Sequence, residues 1–459
     1  MRKTFAYLCI GGGGHEIVMK NKNFFLLKCI HVLITTILFY AFWLMFRHGS
    51  IHGSVIRTAH ERYDYFTALG YVFVLCLFTR TYNSYLLGFT RTINLVFSQF
   101  MSQIFSVLFI YTAVSIGWLQ FKSPYYFLIM LGLQLLFDCV WSYSANTLYL
   151  KHNPPKRTIF IYRSEADKIR FGSIDGEPAG QIYKIEKELQ YRGLSFKEIE
   201  HELNGFEAVF VAGVSSRCRN GILKYCAEQD IPGFFLPHIG DVLMKGSTHI
   251  QSFTSPVMYF SRKEIKPEYL IMKRSFDFLV SLAGLIALSP LMLILAAVIK
   301  LYDGGPVIYK QVRLTKDERK FKLYKFRSMR VDAESDGVAR LSSEDDNRIT
   351  PVGKVMRKYH LDEFPQLFNI LKGDMSFVGP RPERPEIAEQ YYEQVSDFRL
   401  RLQVRAGLTG YAQVYGRYDT SPYEKLEFDL LYINDMNLLI DLKLIFATFS
   451  RIKSEFRIS

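Results

Sequence analysis

The chain has 459 residues, more than one domain usually holds, and this length predicts two or three domains. Apolar residues make up 49% and charged residues 22% of the chain, and the apolar residues are bunched in long runs, as in a membrane protein. The net charge is +13; with membrane segments present, it favours an anionic lipid surface or a phosphate-rich substrate as partner, and nucleic acid is not expected.

The first 23 residues are interpreted as a leader. They contain no apolar region before a cleavage site, so they are not typical of a signal peptide. Met19 is a more natural first residue, which makes residues 1–18 a candidate artefact of start-site assignment.

Four apolar runs predict four transmembrane helices within residues 24–150. The runs are Phe24–Phe46, Tyr63–Thr79, Ile93–Leu119 and Tyr125–Leu148, and the second is near the lower length limit. They lack a polar face, which argues against buried helices of a soluble protein. Basic residues flank the first and fourth runs, so the positive-inside rule places both flanks in the cytoplasm.

A Rossmann-like α/β domain is predicted for residues 157–250, after the boundary at Asn153-Pro-Pro155. The predicted buried strands are Thr158–Tyr162, Ala208–Ala212 and Gly233–Leu236. The first strand is followed by Arg163-Ser-Glu-Ala-Asp167 where a dinucleotide-binding domain carries Gly-x-Gly-x-x-Gly, so no nicotinamide cofactor is expected. A spacer or dimerisation module is favoured over a regulatory ligand site, and a homodimer is left open.

A fifth apolar run, Phe278–Ile299, is long enough to cross a bilayer, but two features favour a re-entrant helix over residues 276–300. Ser289-Pro290 lies in its middle, where proline removes a backbone hydrogen bond and kinks the helix. From Lys300 to Arg330 there are ten lysine and arginine residues against three acids. A full crossing would place this basic segment outside, whereas a helix that enters and leaves by one face keeps it in the cytoplasm.

Residues 270–459 are predicted to form a third, mostly helical domain built on the re-entrant helix, and the acids described next make it the candidate catalytic domain. With the α/β middle domain and the transmembrane helices, the predicted fold class is an α/β membrane protein. The adjacent acids Asp362 and Glu363 are its most informative feature, although two adjacent acids alone are weak evidence for a site. A carboxylate can attack phosphorus, and a second one can hold Mg²⁺. We expect both acids at the start of a short helix, Pro365–Leu371, whose dipole favours ionised carboxylates.

Cationic side chains around these acids form an inventory suited to phosphate. Arginine binds phosphate oxygens in bidentate fashion, and lysine adds a point charge. The two prolines of Gly379-Pro-Arg-Pro382 stiffen one loop, so that its arginine is held ready for a ligand. The predicted substrate-phosphate ligands are Arg357, Lys325, Arg327, Arg381 and Arg405.

The region from about Lys273 to Ser459 resembles the bacterial sugar transferase domain of monotopic phosphoglycosyl transferases. The resemblance rests on the kinked helix and on Lys325-Phe-Arg-Ser-Met329, Leu361-Asp-Glu-Phe-Pro-Gln366, Gly373-Asp-Met-Ser376 and Gly379-Pro-Arg-Pro-Glu383. The four leading helices and the middle domain match the long form of this family. That form includes undecaprenyl-phosphate galactose and glucose phosphotransferases, which begin capsule, O-antigen or exopolysaccharide synthesis.

The resemblance implies a two-step transfer of a sugar-1-phosphate. Asp362 would attack the β-phosphate of a UDP-sugar and displace UMP, which leaves a sugar-phosphoryl-aspartate. Undecaprenyl phosphate would attack this intermediate to give undecaprenyl-diphospho-sugar. The family pattern makes Glu363 a ligand of Mg²⁺ and Arg357 a phosphate ligand. It also places the protein in the bacterial inner (cytoplasmic) membrane, with its catalytic domain on the cytoplasmic face.

Two alternatives from other functional classes remain at this point. A membrane scaffold of a polysaccharide-assembly complex would suit the helices and the middle domain, but it leaves the motifs after Lys273 without a role. A nucleotide-sugar epimerase or dehydratase would need the dinucleotide motif that the middle domain lacks. The identity of the sugar (galactose, glucose or an N-acetylhexosamine) and of the polymer stays open.

Overall fold

The computed structural model describes residues 22–48, 57–117, 121, 123–171, 178–250, 257–260, 265, 267–330, 348–416 and 420–455. All but the last two residues of the predicted leader lie outside the described residues. The chain divides into two compact units, Met1–Leu236 and Pro237–Ser459, here called the N-terminal and the C-terminal unit. The division falls inside the range given to the Rossmann-like domain, and the predicted domain limits remain predictions.

The N-terminal unit contains long helices followed by a parallel sheet. The long helices are α1 (Lys22–His48), α2 (Arg57–Thr81), α3 (Thr92–Gly117) and α4 (Tyr125–His152). The strands are β1 (Lys156–Tyr162), β2 (Tyr183–Gln190), β3 (Ala208–Ala212) and β4 (Gly233–Phe235), in the order β2-β1-β3-β4. Shorter helices connect them: α5 (Glu165–Phe171), α6 (Phe196–Leu203) and α7 (Ser216–Glu228).

Four helices in the described part of the chain are long and apolar enough to cross a membrane. Their spans are Phe24–Arg47, Thr92–Gly117, Tyr125–His152 and Pro267–Tyr302. Three of the four predicted crossings are thus supported by length and composition, in α1, α3 and α4. The second predicted crossing, α2, is not among them, since it carries charged residues near both ends, although it packs against α1 and α3.

The sheet is buried on both faces, which explains why its central strands are continuous apolar runs. Ile159 and Val211 pack with α6 and α7 on one face. Phe160 and Phe210 lie on the other face, in a core shared with residues near the end of α4. The three predicted strands are confirmed. The edge strand β2 was missed, because its polar residues alternate with half-buried ones.

In its described residues, the C-terminal unit is mostly helical and has three small two-stranded sheets. Its helices are α8 (Ile239–Lys245), α9 (Pro267–Asp303), α10 (Pro351–Lys358), α11 (Gln366–Lys372), α12 (Pro385–Gln394), α13 (Tyr411–Tyr415), α14 (Pro422–Asp435) and α15 (Leu438–Glu455). Its strands are β5 (Thr248–Ile250), β6 (Val257–Tyr259), β7 (Ile308–Leu314), β8 (Lys320–Phe326), β9 (Met375–Val378) and β10 (Ala406–Thr409). β5–β6 and β7–β8 are antiparallel, and β9–β10 is parallel.

One side of the long helix α9 packs on the rest of the C-terminal unit, and its other side is exposed. Pro290 lies inside it, and the Ser289 hydroxyl donates to the Ile286 carbonyl over 2.7 Å. A stripe spaced by three or four residues packs into the unit's apolar cores: Leu285, Leu288, Met292, Leu295 and Ile299. The opposite side exposes large apolar side chains such as Leu293 and Ile294. An exposed apolar helix side of this size is typical of contact with lipid.

Candidate active site

The adjacent acids lie in a tight turn between two helices. α10 begins after Thr350, whose side chain caps it by accepting from Gly353 N over 2.9 Å. The chain then turns at His360, which has a left-handed backbone (φ 54°), and Leu361–Glu363 form one 3₁₀ turn. α11 follows at Gln366, one residue later than predicted for Pro365–Leu371. The two carboxylates therefore precede the start of α11, as expected.

Lys325 joins the two acids electrostatically. It lies near the end of β8, and its Nζ donates to Glu363 Oε1 over 2.6 Å and is 3.8 Å from Asp362 Oδ2. Asp362 is buried, with 6% of its surface exposed. The buried amide of Asn369 on α11 fixes this arrangement, since it accepts from Tyr324 N and donates to Lys322 O on β8.

Two arginines approach the same carboxylates. Arg381 Nη2 is 3.8 Å from Glu363 Oε1, and the Arg381 side chain is 52% exposed. Arg357 on α10 donates through Nε to Ser328 Oγ over 2.9 Å, which orients its guanidinium from the segment that follows β8. The site thus combines two acids with three cations, one of which is free to meet a ligand in solvent.

The surroundings of Asp362 and Glu363 shift their pKa values in opposite directions. Burial raises the pKa of Asp362, and the charges of Lys325 and Arg357 oppose that rise. Burial acts in the same direction on Glu363, but there Lys325 and Arg381 outweigh it and lower the pKa to about 2. Glu363 is therefore ionised at neutral pH, whereas burial leaves the charge of Asp362 poorly solvated.

The fold and this geometry can be set beside known proteins. The model of the family described as bacterial sugar transferase matches residues 268–455. A UDP-N-acetylgalactosamine-undecaprenyl-phosphate N-acetylgalactosaminephosphotransferase of Aeromonas hydrophila is 41% identical over 193 residues, which cover 41% of this chain and 45% of that protein. A UDP-glucose:undecaprenyl-phosphate glucose-1-phosphate transferase of Klebsiella pneumoniae is 44% identical over 184 residues, 39% of each chain.

A shorter relative decides the family. The exopolysaccharide production protein ExoY of Rhizobium meliloti is 38% identical over 222 residues, which cover 45% of this chain and 95% of ExoY. The chain belongs to the bacterial sugar transferase family. The predicted family is confirmed. The chain spans less than half the length of the Aeromonas and Klebsiella relatives, and the family model matches its C-terminal part.

Within this sugar transferase domain, the predicted phosphate ligands fall into two groups. Lys325, Arg357 and Arg381 gather around the acids. Arg327 is buried, and its guanidinium packs so closely against Gly305 that a Cβ atom at this position would overlap it. Arg405 lines a cavity of about 360 Å³ together with residues at the start of α9. The role of all five as phosphate ligands stays a prediction.

Other polar residues near the motifs have structural partners. Asp374 accepts from Arg319 over 3.2 Å, and Glu383 lies between Arg401 and Lys425. His360 is exposed and occupies the left-handed turn before the acids. Histidine is among the few residues besides glycine that occupy the left-handed region readily, so the turn gives a structural reason for His360 at this position.

Sequence reasoning missed two residues that position the site. Ser328 lies within a recognised motif, yet nothing in the motif says that it orients Arg357. Asn369 lies three residues after another motif and is fully buried. A polar residue within the apolar segment Leu367–Leu371 is the sequence signal that could have found it, since buried polar groups need hydrogen-bond partners. Both act through side-chain hydrogen bonds that join distant parts of the chain.

The donor set of this sugar transferase site fits Mg²⁺. Magnesium is commonly held by one or two carboxylates together with substrate phosphates and waters. Asp362 and Glu363 supply adjacent carboxylates, and Glu363 is always ionised. The described residues contain no cluster of three or more His, Cys, Asp or Glu side chains, which a dedicated protein-only metal site would need.

Proposed function

We propose that this protein transfers a sugar-1-phosphate from a UDP-sugar to undecaprenyl phosphate and releases UMP. The observation that carries the proposal is the buried Asp362 beside Lys325 and Glu363, in a sugar transferase domain. Relatives of that domain are named as undecaprenyl-phosphate sugar phosphotransferases. The product would start an exopolysaccharide, capsule or O-antigen chain.

In the first step, an Asp362 carboxylate oxygen attacks the β-phosphorus of the UDP-sugar. The new bond joins that oxygen to phosphorus, and the bond from β-phosphorus to the bridging oxygen breaks, so UMP leaves with the electron pair. Arg381 and Arg357 hold phosphate oxygens and offset their charge, while Lys325 keeps Asp362 ionised. Enclosure of the aspartate strengthens each of these interactions.

In the second step, a phosphate oxygen of undecaprenyl phosphate attacks the same phosphorus. The bond from phosphorus to Asp362 breaks, the carboxylate is restored, and undecaprenyl-diphospho-sugar is formed. The acceptor phosphate is a nucleophile at neutral pH, so no general base is required, and His360 is given no role. One nucleophile thereby serves a soluble donor and a lipid acceptor in turn.

Mg²⁺ is proposed as the cofactor, with Glu363 as its ligand. When bound, it would offset the negative charge of the diphosphate and of the departing UMP. Glu363 suits this role because its pKa of about 2 keeps it an anion at every working pH.

The site is proposed to face the cytoplasm of a bacterial inner membrane, on a re-entrant α9. α9 touches the C-terminal unit from Lys273, which pairs with Asp441 over 2.7 Å, to Ile299. That stretch is about 40 Å long at 1.5 Å per residue, and Pro290 lies within it. Contact between α9 and the rest of the charged C-terminal unit on both sides of Pro290 favours a re-entrant path over a full crossing.

Thiol labelling of intact cells tests this topology. In a background without the native cysteines, Lys300→Cys is expected to be shielded from a reagent that cannot enter the cell. Ser50→Cys, between the first two helices, is the matched control and is expected to react, since α1 crosses once. Labelling at position 300 comparable to that at position 50 would contradict the re-entrant path.

A nucleotide-release assay tests the function. Purified protein is incubated with undecaprenyl phosphate, Mg²⁺ and, in turn, UDP-glucose, UDP-galactose and UDP-N-acetylhexosamines. UMP is expected from one or a few donors, only when the lipid is present under multiple-turnover conditions, and not in excess EDTA. UDP as the sole nucleotide product would instead indicate an ordinary glycosyltransferase and would reject the proposal.

A further inference from the structure

The loop that carries Arg381 is fixed to the fold at four consecutive carbonyls. Pro380 O accepts from Gly407 N over 2.9 Å, Arg381 O from Arg401 Nη2 over 2.9 Å, Pro382 O from Arg313 Nη1 over 3.1 Å, and Glu383 O from Leu314 N over 3.0 Å. Two of these donors are arginine side chains from distant segments. The backbone of Arg381 is therefore held from outside the loop, in addition to the stiffness that its prolines give.

Arg401 is the most constrained of these donors. It is 2% exposed, and its Nε donates to Asp429 Oδ2 over 2.7 Å. Its Nη1 lies 3.5 Å from Glu383 Oε1, and its Nη2 holds the Arg381 carbonyl. All three nitrogens are engaged, so the guanidinium acts as a rigid fork between α14 and the loop. A buried charge with this many partners is set in one position.

The side chain of Arg381 has the opposite character. It is half-exposed and comes only within 3.8 Å of Glu363, which leaves its nitrogens available to a ligand. A free arginine head on a fixed backbone loses less freedom on binding a phosphate than one on a mobile loop. The usefulness of Arg381 thus depends on what fixes its main chain.

We propose that Arg401 is a positioning residue: through the Arg381 carbonyl it places the Arg381 guanidinium beside Glu363 for contact with the substrate diphosphate. The inference rests on the proposed function. It extends the site to a residue that lies in no recognised motif, about 40 residues after the two acids.

Arg401→Lys is the informative change. Lysine keeps the positive charge next to Asp429, but its single nitrogen cannot also reach the Arg381 carbonyl and Glu383. We expect kcat/KM for UMP release to fall about 10- to 100-fold, because small misplacements of a positioning group cost this much. Arg399→Lys is the matched control: Arg399 lies in the same segment, is exposed, and contacts Glu318 and the Tyr392 ring, so its loss should leave turnover unchanged.

A double-mutant cycle separates positioning from general stability. If Arg401 acts through Arg381, then Arg401→Lys should cost less than about threefold in an Arg381→Ala background, since the group it positions is gone. A purely structural role would reduce turnover by the same factor in both backgrounds. Thermal unfolding of each variant is measured in parallel. If Arg401→Lys does not fold, Asp429→Asn, which weakens the hydrogen bond from Arg401 Nε, replaces it in the same double-mutant cycle.

The outcomes bear differently on the two proposals. If the wild-type protein releases UMP but the two losses multiply, or Arg401→Lys turns over normally, the positioning role is wrong and the proposed function stands. If the wild-type protein releases no UMP with any donor, both proposals are rejected. Coupled losses in an active enzyme support the positioning role.

Discussion

Asp362→Asn is expected to lower UMP release by at least roughly 10⁴-fold, since removal of a catalytic nucleophile has cost about 10⁶-fold in kcat in another enzyme. Asparagine has nearly the shape of aspartate but no anionic oxygen, so the bond to phosphorus cannot form. The variant should nevertheless fold. Burial raises the pKa of Asp362, which means that its charge is held at a cost, and Lys325 keeps Glu363 as its partner. Thermal unfolding should therefore differ little from the wild type.

Intact-protein mass spectrometry tells the two acids apart. With a UDP-sugar but no lipid acceptor, the wild-type protein should gain the mass of one sugar phosphate, and Asp362→Asn should gain none. Glu363→Gln is the matched control, since it removes the neighbouring charge by the same kind of change. It should turn over slowly and still form the adduct at high Mg²⁺. An adduct on Asp362→Asn, or its loss only in Glu363→Gln, would reverse the assignment of the acids.

Local sequence patterns were sufficient to predict the strands that are buried on both faces. β1 and β3 are buried on both faces, so their residues form unbroken apolar runs that stand out in the sequence. β2 was invisible by the same criterion, because an edge strand with lysine and glutamate on alternate positions resembles a loop. The second apolar run was predicted as a crossing, and the charges near the ends of α2 show why it is the weakest of the four.

The sequence was sufficient to predict which residues belong to the site, but not which of them contact one another. The position of Asp362 and Glu363 before a helix follows from Pro365 and the adjacent sequence. The partner of these acids could not be chosen between Lys325 and Arg327, which lie two residues apart in one motif. Register and packing decide the choice: Lys325 pairs with Tyr309 in the β7–β8 hairpin and reaches the acids, whereas Arg327 turns to Gly305.

Residues outside the motifs also hold the site together. Arg401 lies in a 3₁₀ segment without periodicity, and its contacts with Asp429 and Arg381 join parts of the chain about 20 to 30 residues away. Arg405 shows the converse, because this predicted phosphate ligand lines a cavity at the start of α9. Residue type and spacing indicate that a chain handles phosphate; only the fold decides which cations face the nucleophile.

Lys325→Met is expected to lower kcat/KM about 10²- to 10³-fold at neutral pH and to move the acid limb of the pH profile upward. Lys325 lowers the pKa of Asp362 and of Glu363, so its removal raises both. Burial already raises the pKa of Asp362, and Lys325, 3.8 Å away, opposes that rise. Without this cation the active, ionised form of Asp362 would be lost on acidification at a higher pH than in the wild type.

The pH profile also distinguishes charge from contact. Lys325→Arg keeps a cation on β8, so its acid limb should stay near that of the wild type even if misplaced hydrogen bonds slow turnover. Lys372→Met is the matched control, because Lys372 donates to Tyr324 instead of to an acid, and its profile should not move. An unshifted acid limb in Lys325→Met would mean that Asp362 does not set it. A shift in Lys325→Met and none in Lys325→Arg would tie the acid limb to a carboxylate that feels this one charge. In the wild type, Glu363 has a pKa of about 2 and lies too low to set that limb, which leaves Asp362.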